Sequence, residues 1–78
     1  MGRKFVIGNR LKEEWISVLD TEKKELEFTS YLVNALEYLQ EEDAQINLAE
    51  IQETGYFDDL QIYLKKDNKA LLISEQDS

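Results

Sequence analysis

The first apolar stretch of this chain is short and ends at a glycine. Phe5, Val6 and Ile7 follow two basic residues, and Gly8 closes the run. A brief apolar run bounded by glycine is typical of a β-strand. We therefore expect an N-terminal strand over residues 3–8.

Residues 9–29 fit two patterns. Apolar residues at positions 11, 15, 18 and 19 recur with helical spacing, and Asn9 offers a side-chain oxygen that is able to cap a helix. The same stretch also fits two strands, over residues 15–19 and 25–29, joined by a polar turn. In the second of these strands leucine and phenylalanine alternate with glutamates, as in a half-buried strand. We favour the strands and keep the helix as the alternative.

The pattern after Thr29 predicts a central amphipathic helix over residues 30–42. Its apolar face carries Leu32, Ala35, Leu36 and Leu39, and its polar face carries Asn34, Glu37 and Glu41. This spacing is that of a helix with one side against a core, and Thr29 or Ser30 supplies the N-cap oxygen. Tyr38 lies on the flank of the helix, outside the apolar stripe. Because tyrosine is enriched at interfaces, we predict Tyr38 as an interaction residue.

Three acidic residues stand at the end of this predicted helix. Glu41, Glu42 and Asp43 place negative charge where the helix macrodipole is already negative. The arrangement is unfavourable unless a cation lies close to it. We therefore predict these carboxylates either as interaction residues for a basic partner or as partners of the basic residues near the N-terminus.

A short second helix is predicted over residues 48–54. Asn47 and Glu50 have the spacing of a capping box, in which an N-cap side chain and an acidic residue three positions later satisfy free backbone N–H groups. Gly55 suits the left-handed conformation that ends many helices. The two signals bracket the helix.

The C-terminal part of the chain predicts a β-hairpin. Two apolar runs, over residues 60–64 and 70–74, flank a polar turn that contains Asp67 and Asn68. Aspartate and asparagine tolerate the left-handed conformations that a tight turn requires. We expect the tail, residues 75–78, to fray.

Together these elements predict a small single α+β domain that spans residues 1–78. Its sheet combines the N-terminal strand or strands with the C-terminal hairpin. The central amphipathic helix packs against this sheet, and the short second helix follows it. A chain of this length buries only about 60–65% of the surface that its unfolded form exposes, so the expected stability is small.

An alternative fold is suggested by the order of motifs in the second half of the chain. Residues 46–55, with the run Leu-Ala-Glu-Ile followed by Thr-Gly, lie between the predicted central helix and another apolar stretch. Over residues 31–74 this order resembles the winged helix-turn-helix family, in which a second helix precedes a recognition helix and a β wing. The resemblance implies a transcription regulator whose DNA-reading positions fall near Asp58, Asp59 and Gln61. Contact with phosphates requires Lys and Arg, and the two aspartates depart from that requirement.

Composition excludes several kinds of chemistry. The 78 residues include no Cys and no His, which removes thiolate nucleophiles, imidazole bases and the usual ligands of zinc. Adjacent carboxylates on one segment do not by themselves enclose a hard cation. We therefore expect a protein that is not an enzyme and that uses no cofactor and no metal.

Charge is distributed unevenly and suggests a partner class. The net charge is −8, and no Lys or Arg occurs from Glu25 through Leu64. Asp58 and Asp59 extend this acidic region, and we predict both as interaction residues. The expected function is that of a non-catalytic regulatory or adaptor module that contacts a protein partner or a second copy of itself as a homodimer. The alternatives are a nucleic-acid-mimicking inhibitor of a basic DNA-binding protein and the winged-helix-like regulator.

Nucleic acid and membrane are not expected partners. Strong negative charge opposes binding to phosphates. The apolar run at residues 5–7 is shorter than the apolar core of a signal peptide or a membrane span. We therefore expect a cytoplasmic protein.

Overall fold

A computed structural model of the chain describes residues 3–20, 22–53, 55, 57, 59–67 and 69–72. The described part contains five β-strands, one α-helix and a short 3₁₀ turn over Leu32–Asn34. The strands are β1 Lys4–Asn9, β2 Glu14–Asp20, β3 Glu25–Thr29, β4 Gln61–Lys66 and β5 Lys69–Leu72, and the helix is α1 Glu41–Gln52. The expected α+β class is confirmed.

The five strands form one sheet in the order β3-β2-β1-β4-β5. Every neighbouring pair is antiparallel, with β1 in the centre and β3 and β5 at the two edges. The predicted N-terminal strands and C-terminal hairpin are therefore both present. In the hairpin, Asp67 has the positive φ of 49° expected of its turn, whereas Asn68 and the tail over residues 75–78 lie outside the described residues.

The same turn chemistry joins β1 to β2 and β2 to β3. In each loop the last residue of the first strand accepts two backbone N–H groups through its side-chain oxygen: Asn9 from Leu11 and Lys12, and Asp20 from Glu22 and Lys23. Each loop also ends on a residue in the left-handed region, Glu13 at φ 53° and Lys24 at φ 56°. The capping bond predicted for Asn9 is thus formed, but it closes a single turn. The strand alternative for residues 9–29 is confirmed and the helix is wrong.

A β-bulge in β2 explains why this region resembled a helix. The register with β3 shifts by one residue between Ile16 and Val18, which leaves Ser17 as the extra residue. The bulge keeps Ile16 and Leu19 on the same side of the sheet although they are three positions apart. Trp15, on the other side, is also buried. Apolar positions therefore recur at a spacing that a helix shares.

The predicted helix over residues 30–42 is wrong, because residues 35–38 are extended and enter the sheet. The N–H of Phe5 donates to the carbonyl of Tyr38 at 2.7 Å, and the N–H of Tyr38 donates to the carbonyl of Phe5 at 2.8 Å. The N–H of Leu36 donates to the carbonyl of Ile16 at 2.8 Å. Since β1 and β2 pair with each other only at their loop ends, this segment fills the gap between them.

The two sides of the sheet carry separate apolar clusters. We call the side against α1 the helix face, and its buried residues include Phe5, Ile7, Ile16, Ile51 and Leu64. We call the other side the open face, and its cluster consists of Val6, Trp15, Ala35, Tyr63 and Ala70. Ala35 packs in the open-face cluster, whereas Leu36 and Tyr38 pack in the helix-face cluster. The chain therefore crosses from one face to the other between β1 and β2, which is why the apolar residues of this segment do not share one side.

Helix α1 begins where the predicted central helix was expected to end. Glu41, Glu42 and Asp43 occupy its first turn, where negative charge is favourable to the macrodipole. Gly55 has φ 80° and its N–H donates to the carbonyl of Gln52 at 3.0 Å, so its predicted left-handed conformation is confirmed, although the helix ends at Gln52, two residues before the predicted end. Asn47, predicted as its N-cap, lies in the middle of α1. The two predicted helices are replaced by one.

The winged-helix alternative is wrong as well. The stretch that the resemblance assigned to a recognition helix contains β4, Gln61–Lys66, at the interior of the sheet. The described residues include one α-helix, whereas the resemblance requires three.

Candidate functional site

A groove opens on the helix face beside α1. The helix packs mainly over β1 and β4, so on the helix face of β2 and β3 Leu19 and Leu26 are only partly covered, although Ile16 of β2 is fully buried. The resulting groove has a volume of about 380 Å³. It is lined by Leu19, Asp20, Lys24, Glu25, Leu26, Glu50, Ile51, Glu53 and Phe57.

The floor of this groove is apolar. Leu19 and Leu26 are opposite each other in the β2–β3 register and form the sheet side. Ile51 of α1 and Phe57 form the other side. The ring of Phe57 also packs at 5.7 Å from the ring of Phe28, which remains 38% exposed. Water-exposed apolar area of this kind gains free energy when a partner covers it, about 25 cal/mol per Å².

The rim of the groove is acidic. Four lining residues are acidic, Asp20 and Glu25 from the hairpin and Glu50 and Glu53 from the end of α1, and Lys24 is the single cation of the lining. Because Leu19 and Leu26 face the groove, the alternation of the strands turns the side chains of Asp20 and Glu25 toward the open face. Asp20 and Glu25 are register partners across β2 and β3. Like charges directly opposite each other are destabilising, so a cation brought by a partner would relieve this repulsion.

The predicted acidic residues of the first helical turn lie outside the groove lining. Glu41, Glu42 and Asp43 are accounted for by the positive end of the helix dipole, and the amide of Gln45 donates to Glu41 at 2.8 Å. The prediction that they oppose the dipole is wrong, because the helix starts and does not end there. A basic partner is therefore not needed to stabilise them.

Tyr38 is a core residue. Only 9% of it is exposed, so the prediction of an exposed helix flank is wrong. Its hydroxyl accepts a hydrogen bond of 3.0 Å from the side-chain amide of Asn47, which links the extended segment over residues 35–38 to α1. Burial raises the pKa of Tyr38.

Asp59 forms a link between two loops. Its carboxylate lies 2.6 Å from the ammonium of Lys12 and accepts a weaker bond of 3.4 Å from the amide of Asn9. The hydrogen bond from Lys12 lowers the pKa of Asp59. Asp59 thereby joins the β1–β2 loop to the segment before β4. Asp58, the other predicted interaction residue of this pair, lies outside the described residues.

The basic residues of β1, β4 and the first loop have partners away from the groove. Lys4 and Lys65 are opposite each other across β1 and β4, and Glu37 lies 3.5 Å and 2.7 Å from their ammonium groups. The hydrogen bond from Lys65 lowers the pKa of Glu37. The guanidinium of Arg10 lies over the ring of Tyr63 at 5.8 Å. These cations do not neutralise the rim of the groove.

Sequence analysis missed the groove because its lining comes from three separate segments. The alternation of leucine and phenylalanine with glutamates in β3 was recognised as a strand signal, but it did not indicate what would lie opposite. Glu50 and Glu53 are three positions apart, which places them on one side of a helix. Their helix had to be located correctly before that spacing became informative.

The homodimer stays a prediction with part of its support removed. Tyr38, which was predicted on an exposed helix flank, is buried. What favours a dimer in the structure is β5, an edge strand of the sheet that is able to pair with a strand of a second chain.

Other kinds of site find little support in the described residues. No group of three or more acidic side chains among them is placed to hold a metal ion. Within the same residues no helix combines the length and the apolar character needed to cross a membrane. The chain matches no protein-family model, no curated protein and no solved structure in the comparisons made with it. The case for a function therefore rests on the groove.

Proposed function

We propose that this protein is a non-catalytic protein-binding module, and that the groove between α1 and the β2–β3 hairpin binds a basic segment of a partner protein. The observation that supports this proposal is the combination of an apolar floor with four acidic residues among the lining. Apolar pockets with a few placed charges are typical binding sites.

The size of the groove suits a few side chains of a partner. Ligand pockets commonly have volumes of about 300–1,000 Å³, and this groove is near the lower end. A small number of buried side chains usually dominates the affinity of a protein interface. We expect apolar anchors on the floor formed by Leu19, Leu26 and Phe57, and basic side chains at the rim.

The carboxylates contribute chiefly to selection and to the rate of encounter. Charges at the rim of an interface steer association and reject partners of the same sign. Their effect falls with ionic strength, since the Debye length is about 8 Å at physiological salt. Affinity for a basic partner should therefore decrease with added salt. The part of the affinity that comes from contacts with the apolar floor should persist at high salt.

Nucleic-acid mimicry is the second candidate function. It is favoured by α1 itself, which carries Glu41, Glu42, Asp43 and Glu50 and contains no basic residue. A mimic binds a basic protein through charge alone, so its affinity should fall steeply with salt and should survive damage to the groove floor. The two candidates therefore differ in their dependence on Leu26.

A selection from a random peptide library tests the proposed function. Peptides of twelve residues selected against the protein should be basic and apolar, and their binding should be about tenfold weaker to Leu26→Gln, since one apolar anchor is worth about 1.4 kcal/mol or more. Val33→Gln is the matched control, because Val33 is exposed and does not line the groove. Fluorescence anisotropy gives the affinities. Selected peptides that bind both variants equally well would contradict the groove as the binding site.

A further inference from the structure

We infer that the partner binds as an extended strand along β3, so that the sheet gains a sixth strand and the groove receives its alternate side chains. This inference rests on the proposed function and names the form and chemistry of the partner. The occupant is a segment of another protein in which Lys or Arg alternates with apolar residues.

The position of β3 provides the backbone part of the argument. β3 is the end strand of the sheet, and β2 is its neighbour on one side. No described residue pairs with its outer side. An edge strand presents unpaired N–H and C=O groups, and an added strand is a common way in which proteins bind extended peptides. A helical partner would leave these groups to water.

The side chains of β3 provide the chemical part. Successive residues of a strand point to opposite faces, so Leu26 and Phe28 face the groove side, while Glu27 lies opposite the half-exposed Val18 on the open face. A partner strand in register places every second residue beside Leu26 and Phe28. Its remaining residues lie beside glutamates. Apolar residues suit the first set and basic residues suit the second.

The same glutamates argue against a second copy of this chain as the occupant. If β3 paired with β3 of another molecule, glutamates of both strands would lie on the same side of the shared sheet. Like charges across neighbouring strands are destabilising, and charged residues on edge strands are a common protection against self-pairing. The charges on β3 therefore disfavour pairing with β3 of a second copy and favour pairing with a basic strand.

The first experiment uses the peptides that the library selection yields. Each peptide is resynthesised in two versions, with backbone N-methyl groups at its odd or at its even positions. An added strand donates hydrogen bonds to β3 through the N–H groups of only one of these sets. One version should therefore bind at least about tenfold more weakly than the other, because several hydrogen bonds of about 0.5–1.5 kcal/mol are lost together. Equal binding of both versions would overturn the inference.

The second measurement follows amide hydrogen exchange of β3 by NMR, with and without the peptide. Outward-facing amides of β3 should exchange at least about tenfold more slowly in the complex, because they gain partners. A peptide that reaches the groove, as shown by loss of binding to Leu26→Gln, but leaves exchange in β3 unchanged contradicts only this inference. Peptides that bind without dependence on Leu26 contradict the proposed function itself. Selected peptides whose apolar residues are spaced three and four positions apart, as in a helix, would also contradict the inference that the partner binds as a strand.

Charge variants complete the test. Glu25→Gln combined with Glu27→Gln should weaken binding of a lysine-containing peptide about fivefold, since an exposed charge pair contributes about 0.2–1 kcal/mol. Glu13→Gln combined with Glu42→Gln removes the same charge elsewhere and should leave binding within about twofold of the unmodified protein. Equal losses in the two double variants would show that net charge, and not the edge of β3, selects the peptide.

Discussion

The two halves of the sheet differ in what covers them on the helix face. In the half built from β1 and β4, residues such as Ile7 and Leu64 are buried beneath α1. In the half built from β2 and β3, Leu26 is only partly buried and Phe28 is exposed by more than a third. The residue types are the same in both halves. Ile16 of β2 resembles the first half, because it is fully buried. The comparison teaches that apolar residues of this sheet are buried near the helix and stay partly exposed away from it.

The largest expected effect compares one residue from each half. Ile7→Ala should lower the free energy of unfolding by about 2–5 kcal/mol, because Ile7 is fully buried at the centre of the sheet. In a domain this small such a loss is able to abolish folding. Leu26→Ala should lower it by less than about 1.5 kcal/mol, since its site is open to water on one side. Urea unfolding followed by circular dichroism measures both, and equal losses would contradict the division into halves.

The next effect concerns Gly8, where the two halves meet. A Cβ at Gly8 would lie 2.6 Å from Cε3 of Trp15 and even closer to the backbone carbonyl of Glu14. Gly8→Ala should therefore cost about 1–3 kcal/mol through overpacking. Gly55→Ala is the matched control, because nothing lies near its Cβ and only its positive φ is unfavourable, at a cost of about 1 kcal/mol.

A thermal melt measures the loss of stability in both glycine variants, and tryptophan fluorescence distinguishes overpacking at Gly8 from backbone strain at Gly55. Gly8→Ala should also disturb the environment of the Trp15 ring, which lies 5.3 Å from the ring of Tyr63 in an edge-to-face arrangement. Tryptophan fluorescence should change in this variant and stay the same in Gly55→Ala. Unchanged fluorescence in Gly8→Ala would show that the junction has room for a methyl group.

The smallest effect belongs to the ion cluster at the β1–β4 end. Hydrogen bonding from Lys65 lowers the pKa of Glu37 in the folded protein, so its contribution is fully present above the pKa of a glutamate in the unfolded chain, about 4.3. The contribution is lost as the pH falls through the lower folded-state pKa. Glu37→Gln should therefore destabilise by about 0.5–1 kcal/mol at pH 7 and by progressively less below pH of about 4.

Urea unfolding at pH 7 and at low pH measures this dependence. Glu14→Gln is the control, because Glu14 is exposed in β2 and no salt bridge of the described residues involves it. Its effect should be within about 0.5 kcal/mol at both pH values. A loss in Glu37→Gln that does not shrink at low pH would contradict the ion cluster as the cause.

Local signals predicted much of the fold. The alternation in β3, the polar turn containing Asp67 and the left-handed conformation of Gly55 each depend on neighbours in sequence, and each is confirmed. The N-terminal strand is also present, but it continues through Gly8 to Asn9. The helix over residues 30–42 was wrong because residues 35–38 take their conformation from contacts with β1 and β2. Those contacts are distant in sequence, and no local pattern indicates them.

The candidate site was harder to predict than the fold. The strongest acidic cluster in the sequence, Glu41 to Asp43, is satisfied by the helix that it begins. The acidic lining residues Asp20 and Glu53 are separated in sequence and border one groove only through packing. An error in the position of one helix was therefore sufficient to place Glu41, Glu42 and Asp43 at the wrong end of a helix.

The passage of residues 35–38 between β1 and β2 has a consequence for the order in which the protein folds during synthesis. The first half of β1 obtains its neighbours from Tyr38 on one side and from β4 on the other. The ribosome makes both of these after the β2–β3 hairpin, and it makes β4 after α1. Before β4 has left the ribosome, Phe5 and Ile7 therefore lack the partners that bury them. The apolar strand β1 stays exposed until β4 has been made, and this central strand is the first of the five to be synthesised and among the last to gain all its neighbours.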